Sequence, residues 1–257
     1  MEVFLNPDAW IALLTLTFLE IVLGIDNIIF ISIATGKLPE EKRKRATKIG
    51  MFLAMFMRIA LLFGINLLIQ MKEPWFHIDL SWFSAKITGQ SIILLLGGLF
   101  LIYKSTNEIR EKVEEKGQEE KEIKKSATKS FRNVIFQIIL IDMVFSFDSI
   151  LTAVGMTNGV EGAIYIMITA VIISVFIMMQ FAVPVGNFVN KHPSIQILGL
   201  SFLILIGFML LTESAHLSNA LIFGSHVTPV PKGYLYFAIS FSLFVEIINM
   251  KMTKTKK

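Results

Sequence analysis

Long apolar runs with almost no charge dominate this sequence and constrain its fold more than any other feature. A helix needs about 20 mostly apolar residues to cross the hydrocarbon core of a bilayer. Seven runs of that kind can be marked, at 10–34, 47–70, 87–103, 131–155, 162–181, 195–212 and 234–250. With 54% hydrophobic residues in a chain of 257, the runs leave no room for a separate soluble domain. The expectation is an all-α polytopic protein, one membrane domain over 1–257, multi-pass in a cytoplasmic (inner) membrane with the lipid bilayer as its first partner. No basic lead-in and no small-residue cleavage site accompany the first run, so it is expected to stay in the mature chain.

The net charge of +4 needs no nucleic-acid partner, because the cations lie between the runs. Lys37, Lys42, Arg43, Lys44, Arg45 and Lys48 follow the first run, and Lys251, Lys254, Lys256 and Lys257 end the chain. The polar stretch 104–130, with Arg132 just after it, is dense in Lys, Arg and Glu and reads as a solvated helix or linker. Lys72, Lys86 and Lys232 fall on the other side. Short loops rich in Lys and Arg stay in the cytoplasm, so the N-terminus is expected outside and the C-terminus inside.

The sequence also repeats itself. Glu20-Ile21-Val22-Leu23-Gly24-Ile25-Asp26-Asn27-Ile28 in the first run matches Asp142-Met143-Val144-Phe145-Ser146-Phe147-Asp148-Ser149-Ile150 in the fourth. Gly89, Ser91 and Gly97 in the third run match Gly199, Ser201 and Gly207 in the sixth. Three spans separate the copies, so they must cross in opposite directions, as in inverted-repeat transporters with midplane sites. The expected organisation is repeat one over about 10–104, a charged cytoplasmic linker over about 105–130, repeat two over about 131–213 and a final helix over about 234–250.

Glu20, Asp26, Asp142 and Asp148 lie near the middle of their runs. Each costs about 2.5–3.5 kcal/mol to insert, and four together on the order of 10 kcal/mol, so they are not expected to face lipid. Arg58 is the one intramembrane cation available to pair with them, and it is expected to hold an acid when no metal is bound. Residues six apart on an unbroken helix point about 240° apart. A local break at Gly24, and at Ser146 in the second copy, would turn both carboxylates and freed carbonyls toward one cavity. Close packing is the other reading of Gly24. The donors are oxygens: the four acids, Asn27 and Ser149, with Glu213, Glu246 and Asn249 as accessory candidates. No cysteine occurs, and His77, His192, His216 and His226 lie in loops or at edges. That set suits Mn2+, Mg2+ or Ca2+ rather than zinc or copper. Glu161 reads as structural, at a helix N-terminus. Gln180 corresponds in position to Arg58. Carboxylates crowded in a low-dielectric cavity are expected to hold protons when no cation is present and to release them on metal binding. No prosthetic group and no nucleotide-binding loop are expected.

These motifs, together with Tyr234-x-Tyr236-Phe237-Ala238-Ile239-x-Phe241-Ser242-x-x-x-Glu246-x-x-Asn249, resemble the TerC family over essentially the whole chain. The resemblance implies Mn2+ efflux, and in Gram-positive bacteria delivery of Mn2+ to enzymes outside the membrane. It places the ion site at Glu20, Asp26, Asn27, Asp142, Asp148 and Ser149. A proton-coupled exporter, not an enzyme, is the expectation. Oxygen ligands alone leave Ca2+ or Mg2+ transport open, and a non-transporting membrane scaffold is the alternative from another class. An intramembrane aspartyl protease would need two close carboxylates, not four acids in two inverted copies. Homo-oligomers and exoenzyme or secretion partners are left open.

Overall fold

The computed structural model describes residues 6–117, 130–157, 160 and 162–254, with the backbone alone at 26, 66, 115–117, 253 and 254. Its elements run α1 (Pro7–Gly36), α2 (Glu40–Phe63), α3 (Ile65–Gln70), β1 (Pro74–Asp79), β2 (Phe83–Thr88), α4 (Gly89–Gly117), α5 (Phe131–Met156), α6 (Ala163–Lys191), α7 (Pro193–Leu217), β3 (Leu221–Ile222), β4 (Ser225–His226) and α8 (Lys232–Lys254). Among the described residues, seven helices (α1, α2 and α4–α8) are long and apolar enough to cross a membrane. The chain is an all-α polytopic membrane protein, as the apolar runs predict, with one small sheet added.

Helix ends differ from the apolar runs for local reasons. At α1, the side chain of Asn6 accepts from the Asp8 N–H at 3.0 Å, and Pro7 opens the first turn, where it loses no hydrogen bond. The second run begins a helix earlier than expected, because Glu40 and Glu41 suit the positive N-terminal end of α2. It then stops at Gly64, and a short α3 follows. The third run continues as helix well into the polar stretch. Pairs at i,i+4 line that solvated end: Lys104 Nζ to Glu108 at 2.7 Å and Arg110 Nε to Glu114 at 2.6 Å. Residues 118–129 of the expected linker lie outside the described residues. The fifth run continues through Pro184 to Lys191.

The helices group into two compact units that cut across the sequence halves. One holds α1, α2, α5 and α6; the other holds the sheet, α4, α7 and α8. Within the first, α1 packs on α6 and α2 packs on α5. Exchanging the repeats turns the first of these pairings into the second.

In the second unit α4 packs on α7. A Cβ at Gly98 would stand 2.7 Å from the Gly207 carbonyl oxygen, and one at Gly207 would stand 2.9 Å from that of Gly98. The backbones touch there because neither residue has a side chain. The sequence match pairs Gly97 with Gly207; the contact belongs to Gly98, one residue on. Ser214 Oγ also donates to the Ser91 carbonyl at 2.6 Å. The loops expected after the second and sixth runs contain the antiparallel sheet, in the order β1-β2-β3-β4. Strands this short, with polar residues between apolar ones, carry no periodic signal strong enough to read in advance.

Candidate metal-ion site

The first unit buries its acids from two helices on one cation. Glu20 of α1 and Asp142 of α5 are each 5% exposed, and Arg58 of α2 is 3% exposed. Arg58 Nη1 donates to Glu20 Oε2 at 2.5 Å. Its Nη2 and Nε donate to the two oxygens of Asp142 at 2.6 and 3.1 Å, a bidentate fork. Asn27 Nδ2 reaches Asp142 Oδ1 at 3.4 Å, and Ser146 Oγ lies 3.1 Å from Oδ2. Arg58 therefore does pair with the acids, as expected, and it pairs with one from each repeat.

Helix geometry explains which residues meet. Glu20 and Asn27 are seven apart, two turns of α1, so they share a face about 10 Å apart along the axis. Asp142, Ser146 and Ser149 fall at i, i+4 and i+7 on α5 and share a face in the same way. Ser149 is buried and donates to the Ser146 carbonyl at 3.2 Å. Asp148, six residues after Asp142, leaves that face by about 240° on a straight helix. It is half-buried, and its carbonyl accepts from Thr152 Oγ1 at 3.0 Å. Asp26 lies within α1, and only its backbone is described.

The expected break at Gly24 is not there. Both α1 and α5 are continuous α-helix across Gly24 and Ser146. Gly24 serves close packing instead: a Cβ there would overlap the sulfur of Met178 on α6. The Ser146 hydroxyl also reaches the Asp142 carbonyl one turn back, at 2.6 Å. The corresponding Gln180 is exposed, so Arg58 has no buried counterpart at that position. Glu213 on α7, with Glu246 and Asn249 on α8, belongs to the second unit. Glu161 lies outside the described residues. Among the described residues no three His, Asp or Glu side chains stand in a metal-holding group.

Small cavities mark the first unit. One of about 20 Å³ is lined by Asn27, Met51, Arg58, Asp142 and Met178 among others. One of about 10 Å³ is lined by Glu20, Leu16 and Met167 among others. A larger one of about 250 Å³ lies at the N-terminal end of α1, where Asp8, Thr15 and Leu16 meet Thr157. Leu16 lines both of the last two cavities. Sequence reasoning missed Met51 and Met178, whose place beside the acids depends on how α2 and α6 pack.

The sequence model described as the Integral membrane protein TerC family matches residues 5–257. This chain belongs to the TerC family. Among its relatives, the chain is 44% identical over 252 residues to a UPF0053 protein of Haemophilus influenzae, covering 98% of both chains. It is 47% identical over 249 residues to the UPF0053 inner membrane protein YgdQ of Escherichia coli, covering 97% of this chain and 95% of that one. It is 41% identical over 250 residues to the UPF0053 inner membrane protein YoaE of Escherichia coli, covering 97% of this chain and 44% of that longer one. No solved structure matches the chain. This TerC-family chain is a multi-pass inner-membrane protein.

Proposed function

We propose that this protein exports a divalent cation, Mn2+, across the cytoplasmic membrane in exchange for protons, and so supplies Mn2+ to enzymes outside. The observation that carries the reading is the convergence of Glu20 and Asp142, one from each repeat, on a single buried guanidinium. Buried carboxylates inside membrane helices mark ion or proton paths. Two carboxylates and one cation leave a local excess of negative charge, which favours a cation. Replacing the guanidinium by a divalent ion would neutralise both acids. Asp26, Asp148, Asn27 and Ser149 would complete an oxygen-rich path, the donor chemistry that suits Mn2+. In this reading the N-terminus is outside and the C-terminus in the cytoplasm.

A scaffold without transport is favoured by the same ion pairs, since Arg58 ties α1, α2 and α5 together. Removing one partner of a buried pair is costly for fold alone. The experiment that separates the readings uses Asp148, which is only half-buried. Proteoliposomes containing Asp148→Asn should fail to move Mn2+ down an imposed gradient while wild-type protein does, with both proteins equally folded. Transport by neither protein favours the scaffold.

A further inference from the structure

Oxygen donors alone do not separate Mn2+ from Ca2+ or Mg2+, but two methionines line a cavity beside Asp142. Met178 and Met51 line the 20 Å³ cavity that Asn27, Arg58 and Asp142 also line. A cavity of that volume holds one water-sized occupant. The Oδ1 of Asn27 is buried without a hydrogen-bond donor among the described residues. Position 24 follows Glu20 by four residues and precedes Asn27 by three, so all three share one face of α1. Gly24 leaves that face bare, and the Met178 sulfur packs into the gap. The thioether thus sits in the row between the acid and the amide.

We propose that the Met178 thioether, seated on Gly24 between Glu20 and Asn27, is a specificity-determining donor that biases the ion path toward softer divalent cations and against Ca2+ and Mg2+. The inference rests on the export reading above. Mg2+ and Ca2+ are hard ions that take oxygen ligands. Sulfur in the wall offers them little in exchange for shed water. Mn2+ tolerates a mixed set, and a soft ion such as Cd2+ favours it.

The test compares wild-type protein with Met178→Leu, a swap that keeps volume and apolar character. Mn2+ flux into proteoliposomes is measured in competition with Cd2+ and with Ca2+, and X-ray absorption is recorded on the Cd2+-loaded protein. In the wild type, Cd2+ should compete better than Ca2+, and sulfur should appear among the Cd2+ neighbours. In Met178→Leu the Cd2+-over-Ca2+ preference, read as a ratio within the same vesicles, should fall about tenfold. Unchanged preference, or no sulfur around Cd2+ in the wild type, overturns the inference and leaves export standing. The absorption result on wild-type protein decides the matter even if the variant fails to fold. A wild-type protein that moves no divalent ion overturns export, and this inference with it.

Discussion

Arg58 joins Glu20 to Asp142, the two acids that the internal repeat places in equivalent positions. The contacts are 2.5 Å to Glu20 and 2.6 Å to Asp142. One guanidinium thus lies where the two copies of the motif meet, although it has no buried counterpart of its own.

Removing that cation should make the fold depend on metal. Arg58→Gln leaves two buried carboxylates uncompensated, and breaking a buried pair costs about 3–5 kcal/mol. Thermal unfolding in detergent should show Arg58→Gln well below wild type without metal. Added Mn2+ should raise its midpoint more than it raises that of the wild type. A variant as stable as wild type, or one indifferent to Mn2+, contradicts a cation-selective site here.

Asp26 and Asp148 should matter for transport rather than for folding. Asp26→Asn and Asp148→Asn are each expected to abolish Mn2+ flux while insertion and yield stay normal. Glu161→Gln is expected to transport nearly as well as wild type. Flux assays on the three proteins, side by side, check this; normal transport by Asp26→Asn and loss in Glu161→Gln would put the site elsewhere.

Topology follows from the loop charges. A reporter fused after Lys257 should report cytoplasm, and one inserted at 227–231, between β4 and α8, should report the outside. A C-terminal reporter active outside the membrane would undo both the orientation and the inversion of the repeats.

Coupling to protons can be read directly. Metal ligands must be deprotonated to bind, so Mn2+ entering the site should drive protons off. Proteoliposomes loaded with a pH-sensitive dye should show proton movement opposite to Mn2+ flux. A pH gradient that drives protons against the direction of Mn2+ movement should speed that movement. Flux without a proton signal, and without response to the gradient, leaves a channel or uniporter.

Much of this was legible in the residues. The seven spans follow from run length, because the bilayer sets how long an apolar helix must be. The kinship of Glu20 with Asp142 follows from the motif, and Arg58 was the cation available to them. What the sequence could not give depends on neighbours. Gly24 could mean a break or a contact, and a helix tolerates one glycine at about 1 kcal/mol; only the position of Met178 on α6 decides for contact. The fifth apolar run ends at 181, yet α6 continues through Pro184 to Lys191. In α4–α7 packing the sequence match points to Gly97, whereas the close approach to the Gly207 carbonyl belongs to Gly98.

Leu16 lines both the roomy cavity beside Asp8 and the small one beside Glu20. It is 3% exposed and apolar. One apolar side chain thus belongs to the walls of both hollows. Leu16→Ala should join the two hollows into one, and under the proposed export reading a proton leak in proteoliposomes should follow.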